Sequence, residues 1–357
     1  MNEHPQLRTA RFMVTGGCGF IGSALVRQLL HCGANVLNVD KLTYAATPLE
    51  IGESEQLGRY HFARLDICDG AGILGLMKSF QPDVIIHLAA ETHVDRSIAG
   101  PSEFIRTNVA GTSTLLTAAV EHHAALPSGA RQRFRFLHIS TDEVYGELAE
   151  NGSRFTENSP YRPSSPYSAS KAAADHIVRA WSRTYGLPVI VTNSCNIYGP
   201  FQFPEKLIPT MIIAALDEKP LPVYGAGQNI REWLYIDDLV TGLLAAAARG
   251  VPGETYLFGS GNEFANLELV TQLCRLIDEL RPGPCLRERL ISFVADRPGH
   301  DLRYGIDSSE TSRELGWVAR ETLATGLRKT VQWYLQNENW WRERMRPSES
   351  ALNSAEG

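Results

Sequence analysis

The residues best placed for proton chemistry lie near the middle of the chain. Ser140–Gly146 reads STDEVYG, with the hydroxyl of Thr141 directly before two adjacent carboxyls, Asp142 and Glu143. Neighbouring carboxyls can act as an acid and a base when their surroundings separate their pKa values. Further on, SSPYSASK (Ser164–Lys171) holds Tyr167 and Lys171 four residues apart. On a helix that spacing puts both on one face. An ammonium beside a phenol favours phenolate, so a lowered pKa is expected for Tyr167, which makes it a base for a hydroxyl near neutral pH. Alone, paired acids are commonly solvated loop residues, and a YxxxK pair is common on surface helices. The elements that carry them decide.

Apolar strand candidates are Arg11–Gly16, Asn35–Asp40, Tyr60–Asp66, Asp83–Ala90, Phe134–Thr141 and Val189–Cys195. Helical stretches alternate with them: Ile21–His31, Ile73–Ser79, Glu103–His123 and Ser168–Tyr185. That rhythm predicts an α/β fold with a parallel sheet covered on both faces. TDE then falls at the end of a central strand, where the sites of such sheets gather.

The first strand runs into TGGCGFIG (Thr15–Gly22), with glycines at Gly16, Gly19 and Gly22, and then into a helix. A tight turn, close approach of a pyrophosphate and close helix packing each need a missing side chain, and a helix N-terminus offers N–H groups to phosphate. The second strand ends in Asp40, whose carboxylate suits adenosine ribose hydroxyls and repels a ribose phosphate, favouring NAD over NADP. A Rossmann-type doubly wound sheet is therefore expected over 1–195. After Asn196 proline and glycine become frequent, which predicts a smaller C-terminal α/β substrate domain over 196–340. Within it, 235–250 is amphipathic and expected to pack back on the first domain. A polar, flexible tail is expected over 345–357.

The chain has 357 residues, 43% hydrophobic and 21% charged, with net charge −6, which argues against a nucleic-acid partner. The six cysteines, Cys18, Cys32, Cys68, Cys195, Cys274 and Cys285, form no CxxC pair, so no metal site is expected and they read as free thiols. The opening MNEHPQLRTARF lacks the apolar core of a signal peptide, and no apolar run suits a membrane span. A soluble, cytoplasmic protein is the expectation.

TGGCGFIG and YSASK resemble the extended short-chain dehydrogenase/reductases. HLAAETHVDRSI (His87–Ile98), TDEVYG, YGPFQFPEKLIP (Tyr198–Pro209), IREWLYIDD (Ile230–Asp238) and ADRPGHDLRY (Ala295–Tyr304) narrow the resemblance to the dTDP-glucose 4,6-dehydratases, to about Tyr334. The first two motifs mark only the superfamily; TDE, EKLIP and DRPGHD are more specific. The likeness implies an NAD-dependent lyase acting on dTDP-glucose. Tyr167 would take the carbon 4 hydroxyl proton as hydride leaves to NAD. Glu143 would remove the carbon 5 proton, Asp142 would protonate the departing carbon 6 hydroxyl, and hydride would return to carbon 6. Thr141 would bond the carbon 4 oxygen, and Lys171 would hold the nicotinamide ribose.

By the same resemblance, NAD contacts are expected from Gly16, Gly19, Phe20, Ile21, Gly22, Asp40, Lys41, Leu42, Thr43, Asp66, Ile67, Leu88, Ala89, Ala90, Thr107 and Ile197, besides Tyr167 and Lys171. Sugar-nucleotide contacts are expected from Thr92, Thr141, Asn196, Lys206, Leu207, Pro222, Val223, Tyr224, Arg231, Asn266, Asp296, Arg297 and His300. Arg231 and Arg297 also make physical sense as diphosphate forks. Three positions depart from the family pattern: Ile197 stands where an amide is usual, Cys18 where an alanine is, and Thr92 where a serine is. Thymidine is implied by likeness alone, and uridine stays open. A UDP-sugar epimerase or UDP-glucuronate decarboxylase needs no acid for a leaving hydroxyl, so Asp142 argues against both. A silent NAD-binding scaffold or sensor would have no use for the TDE and YxxxK groups. A homodimer is expected, and the alanine-rich faces around Thr112–Ala119 and Ala169–Ala180 would allow close helix packing.

Overall fold

In the computed structural model of the protein, residues 7–49, 58–150 and 152–345 are described. Six strands follow the expected order closely: β1 Arg11–Thr15, β2 Asn35–Asp40, β3 Tyr60–Arg64, β4 Val84–His87, β5 Arg135–Thr141 and β6 Val189–Ser194. They pair in parallel in the order β6-β5-β4-β1-β2-β3. A seventh strand, Thr255–Phe258, pairs in parallel with β6, Thr255 opposite Val191. That strand was not expected: it is four residues long, in a stretch read as part of the smaller domain.

β1 and β5 are buried on both faces, which explains their unbroken apolar runs. Met13, Leu37, Ile85 and Phe136 of the sheet pack with Leu115, Leu116 and Val178 of the helices in one cluster. Each such fully buried side chain contributes about 1.5–3 kcal/mol.

Two helices hold the central face. Pro166–Tyr185 starts at a capping box, Ser165 with Ser168, with Pro166 in its first turn, and stops at the left-handed Gly186 (φ 68°). The expected single helix Glu103–His123 is instead three pieces: Pro101–Phe104, a wider-wound π segment Ile105–Gly111, and Thr112–Ala125. Asn108 accounts for the bulge. Its Oδ1 accepts from the Glu91 N–H at 2.8 Å. Its Nδ2 donates to the Glu91 carbonyl at 3.0 Å and to Ser170 Oγ at 2.9 Å. The extra residue in the turn lets Thr107 and Asn108 both face inward.

The chain divides into two compact units. One comprises the described residues of Met1–Ile197, Asn229–Glu263 and Arg297–Arg320; the other those of Tyr198–Gln228, Phe264–Asp296 and Glu321–Gly357. The second domain is therefore not the continuous 196–340 expected. Helix Ile236–Arg249 belongs to the first unit and packs on helix Phe20–His31. The second unit holds helices Leu207–Leu216, Asn266–Leu280 and Leu323–Gln336, and a parallel strand pair, Leu221–Tyr224 with Ile291–Val294. It is more regular than its prolines suggested. Except for Met345, the expected tail 345–357 lies outside the described residues. Among the described residues no helix is long and apolar enough to cross a membrane, and no group of His, Cys, Asp or Glu is arranged to hold a metal ion.

Candidate active site

At the end of β1 the chain turns through Gly16, at φ +72°, where an added Cβ would lie 2.7 Å from the Ala89 nitrogen. At Gly22 a Cβ would come within 2.1 Å of the Gly16 carbonyl oxygen. These two glycines are demanded by packing. Gly19 differs: a Cβ there meets only the Gly16 oxygen, at 3.3 Å, so its surface is open to an approaching group. Helix Phe20–His31 begins at Gly19 with no side-chain cap, leaving its first N–H groups directed at that surface.

Asp40, 8% exposed, ties this loop to β2. Its Oδ2 accepts from the Cys18 N–H at 2.9 Å and its Oδ1 from the Leu42 N–H at 2.8 Å. Burial raises its pKa against those bonds and Lys41. Each oxygen keeps a further lone pair for a ribose hydroxyl. The Leu42 bond also holds that residue at φ 60°, left-handed for a non-glycine. An open glycine, an uncapped helix start and a pinned acid fit a dinucleotide.

The other expected cofactor residues gather at the same carboxyl ends. Lys41 Nζ reaches Glu103 at 3.2 Å and Thr107 Oγ1 at 3.3 Å. Asp66 Oδ1 accepts from the Cys68 N–H at 2.9 Å, and its Oδ2 pairs with Arg106 at 3.2 Å. Thr43 follows β2, and Leu88, Ala89 and Ala90 follow β4. Phe20 and Ile21 open the first helix, and Ile197 follows β6; all three are half-buried. Two expectations change. The Ile67 side chain belongs to the hydrophobic core at 4% exposure, so only its backbone can face a ligand. Thr107, 3% exposed, has its hydroxyl engaged with Lys41 and Glu103.

β5 delivers the acids. It ends at Thr141 and passes into a 3-10 turn, Asp142–Tyr145, closed by Gly146 at φ +82°, where a Cβ would strike the Arg162 carbonyl at 2.1 Å. The Thr141 hydroxyl accepts from the Glu143 N–H at 3.3 Å and donates to Asp142 Oδ1 at 3.3 Å. Asp142 is 1% exposed, and its Oδ2 has no hydrogen-bond partner. Burial, then the charges of Glu143 and Glu232, push its carboxyl well above the usual range, against the pull of Arg231 and Thr141. That is the direction a proton donor requires. Glu143 is half-buried.

Tyr167 and Lys171 share the buried face of helix Pro166–Tyr185. The expected lowering of the Tyr167 pKa is not found. Burial, then Glu143 and Asp142, raise the phenol well above its ordinary value; a hydrogen bond with Thr141 works the other way. The Lys171 ammonium is turned to the Ile139 carbonyl at 2.7 Å, and burial lowers its pKa to about 8 despite Asp175. Tyr167 thus needs added positive charge before it can serve as a base.

Among the expected substrate residues of the first unit, Asn196 has a buried Oδ1 without a partner, and Thr92 is exposed ahead of helix Val94–Ala99. Arg297 is half-buried and pairs with Asp95 at 3.6 Å; His300 is half-buried. Arg231 is not the unencumbered fork expected. It donates to the carbonyls of Ile230 (2.8 Å), Leu302 (3.3 Å) and Asp301 (2.8 Å), over the Tyr304 ring. Three of its five N–H groups are thereby committed.

In the second unit Lys206 precedes helix Leu207–Leu216, and Pro222, Val223 and Tyr224 lie on a strand. Val223 is 2% exposed, so it offers backbone only. Asn266 opens its helix with a buried, unpartnered Oδ1, and Asp296 lies beside Gly225. Two buried carboxylates, Glu232 and Asp175, were missed. Both had a signal: Glu232 follows Arg231, and Asp175 is one helical turn beyond Lys171.

A family model described as GDP-mannose 4,6 dehydratase matches residues 13–330. The chain is 56% identical over 331 residues to a probable dTDP-glucose 4,6-dehydratase of Sinorhizobium fredii, covering 93% of this chain and 94% of that one. It is 54% identical over 336 residues to the dTDP-glucose 4,6-dehydratase of Neisseria meningitidis, covering 93% and 95%. Its structure is similar to that of DesIV, the dTDP-glucose 4,6-dehydratase of Streptomyces venezuelae solved with NAD and TYD bound, with a TM-score of 0.85 and 44% identity over 94% of this chain and 99% of that one. Likeness of this depth across nearly the whole length, on a site built around Thr141-Asp142-Glu143, places the chain in the dTDP-glucose 4,6-dehydratase family.

Proposed function

We propose that this chain is an NAD-dependent hydro-lyase that converts dTDP-glucose to its 4-keto-6-deoxy product. The observation that carries the reading is the buried Asp142, its carboxyl pushed upward by burial, beside the more accessible Glu143, on the strand end that also faces Tyr167. A 4-epimerase or a decarboxylase has no leaving hydroxyl for such an acid to protonate.

Bound NAD supplies the hydride acceptor for carbon 4 and the donor for carbon 6, so cofactor is regenerated each turn. Gly19 and the uncapped start of helix Phe20–His31, in a loop whose turn needs Gly16 and Gly22, would admit its pyrophosphate, Asp40 would take the adenosine ribose, and Lys171 the nicotinamide ribose. Tyr167, as phenolate, accepts the carbon 4 hydroxyl proton, with Thr141 bonding the same oxygen. The ketone formed acidifies the carbon 5 hydrogen, and Glu143 removes it. Asp142 gives its proton to the carbon 6 hydroxyl, which leaves as water, and Glu143 returns its proton to carbon 5 when carbon 6 takes the hydride. Asn196, Arg297 and His300 of the first unit, and Lys206, Tyr224 and Asn266 of the second, are the proposed sugar-nucleotide contacts. The enzyme is proposed to act in the cytoplasm as a homodimer.

The decisive experiment supplies dTDP-glucose and UDP-glucose in parallel. Expected is a product with the alkali absorbance of a 4-keto-6-deoxy sugar, faster from dTDP-glucose, with no net NADH. Accumulating NADH, or a 4-epimer, would defeat the reading. Equal rates would remove only the choice of thymidine.

A further inference from the structure

Beneath the proton-transfer groups lies a second layer of buried polar side chains that the reaction scheme leaves unused. Its centre is Asp175, 0% exposed, on the same face of helix Pro166–Tyr185 as Tyr167 and Lys171. Its Oδ2 accepts from Ser140 Oγ at 2.9 Å, from the Tyr161 hydroxyl at 2.8 Å and from Asn193 Nδ2 at 3.4 Å. Its Oδ1 lies 3.0 Å from His138 Nε2. Two of these partners flank the catalytic strand end. Ser140 is the residue before Thr141, and Asn193 Nδ2 also donates to the Thr141 carbonyl at 2.9 Å. One carboxylate therefore joins the helix of Tyr167 and Lys171 to the strand of Thr141, Asp142 and Glu143.

We propose that Asp175 is a positioning residue of the dehydratase site, whose buried charge keeps Lys171 cationic and whose hydrogen bonds hold the end of β5. The inference rests on the assignment of Lys171 and the TDE residues made above. An uncompensated buried carboxylate is costly, so one retained here is matched to nearby positive charge. Burial alone would raise Asp175, but the adjacent His138 ring, the Lys171 charge and the Tyr161 bond outweigh it and leave the carboxyl below its ordinary value.

The groups around Lys171 decide the sign. From β5, His138 is pushed down to about 4 by burial, so it is neutral at working pH. From β4, His87 is pushed well down by burial and is also neutral; it bonds Thr15 and Thr112. Farther along the helix Arg179 is cationic and engaged with Tyr161 and Thr255. Burial strips Lys171 towards about 8, and Asp175 acts against that loss. Asp175 stands one helical turn beyond Lys171 on the same buried face of the helix, and an opposite charge within about 4–6 Å moves a pKa by roughly one to three units.

The test is a carbon-13 NMR titration of ε-labelled lysine in the full chain without cofactor. There are six lysines, and the Lys171 signal is the one lost in Lys171→Met. Expected in the wild type is a Lys171 midpoint near 8. In Asp175→Asn, which keeps the shape and loses the charge, the midpoint falls by about one unit or more. The alkaline limb of dehydratase turnover should fall with it. In Ser140→Ala, which removes a hydrogen bond but no charge, the Lys171 midpoint stays. If Asp175→Asn does not fold, Asp175→Ser carries the same comparison. A Lys171 midpoint unmoved by loss of the charge, or turnover reduced equally at every pH, overturns the proposal. Wild-type chain that titrates as expected but fails to dehydrate dTDP-glucose overturns the function and leaves the charge pairing standing.

Discussion

Asp142 and Glu143 are chain neighbours in unlike surroundings, and the difference divides their roles. Asp142 is 1% exposed, and burial, then the charges of Glu143 and Glu232, raise its pKa, whereas Glu143 is half-buried. Loss of a positioned acid typically costs about 10²- to 10⁴-fold in rate. Asp142→Asn should slow water elimination by that order while carbon 4 oxidation continues, so enzyme-bound NADH becomes visible in rapid-mixing absorbance. Full dehydration rate in that variant would remove Asp142 from its role. The same residue makes a stability prediction. A carboxyl whose folded pKa lies above the ordinary 3.8 stabilises the fold fully only below 3.8, and that contribution drains away as pH climbs towards the raised value. At neutral pH part of it is lost, whereas the amide of Asp142→Asn has no such dependence. The variant should melt higher than wild type at neutral pH, and the gap should close near pH 4. A wild-type advantage at neutral pH would contradict the burial argument.

At the scale of elements the glycine loop separates two functions that one motif hides. Gly22 is needed for packing, since its Cβ would fall 2.1 Å from the Gly16 oxygen; Gly19, with φ −77°, meets nothing closer than 3.3 Å. Gly22→Ala should therefore lower the melting temperature outright. Gly19→Ala, whose Cβ meets a single backbone oxygen at 3.3 Å, should lose less stability than Gly22→Ala and weaken NAD at least tenfold, about 1.4 kcal/mol, in a fluorescence titration. Equal stability losses would show that both glycines serve the fold alone. The strands and the glycine loop were legible because each depends on nearby residues: period and missing side chains. The π segment Ile105–Gly111 was not, because Asn108 is drawn inward by Glu91 and Ser170, which lie 17 and 62 residues away in sequence. The raised Tyr167 was also hidden: YxxxK shows which side chains share a face, but not that Lys171 turns to the Ile139 carbonyl. Similarly, the carbonyls of Asp301 and Leu302, some seventy residues on, engage the Arg231 fork.

For the whole molecule, the decisive feature is that the nucleotide-binding unit is discontinuous. Its seventh strand, Thr255–Phe258, comes from beyond the point where the alternating pattern stops, and covers β6 along its length, from Thr255 opposite Val191 to Phe258 opposite Ser194. Without it β6 would be an open parallel edge whose N–H and C=O groups seek other partners. Helix Ile236–Arg249 likewise buries Leu239, Leu243 and Leu244, at 0%, 0% and 4% exposure, within the same unit. Tyr256, Leu257 and Phe258 are each at most 1% exposed. A fragment ending at Ile197, two residues past the 1–195 boundary the sequence pattern suggested, loses all these contacts at once, each worth about 1.5–3 kcal/mol. Together these six side chains are worth about 9–18 kcal/mol, as much as the usual stability of a domain, about 5–15 kcal/mol. The fragment should therefore show no cooperative urea transition by circular dichroism and should not retain NAD, although it keeps Gly16–Gly22, Asp40, the TDE acids, Tyr167 and Lys171. Restoring 198–320, which returns the remaining segments of the first unit together with 198–228 and 264–296 of the second, should return both properties. A fragment of 1–197 that unfolded cooperatively and bound NAD would show that the later strand and helix only decorate an already sufficient core.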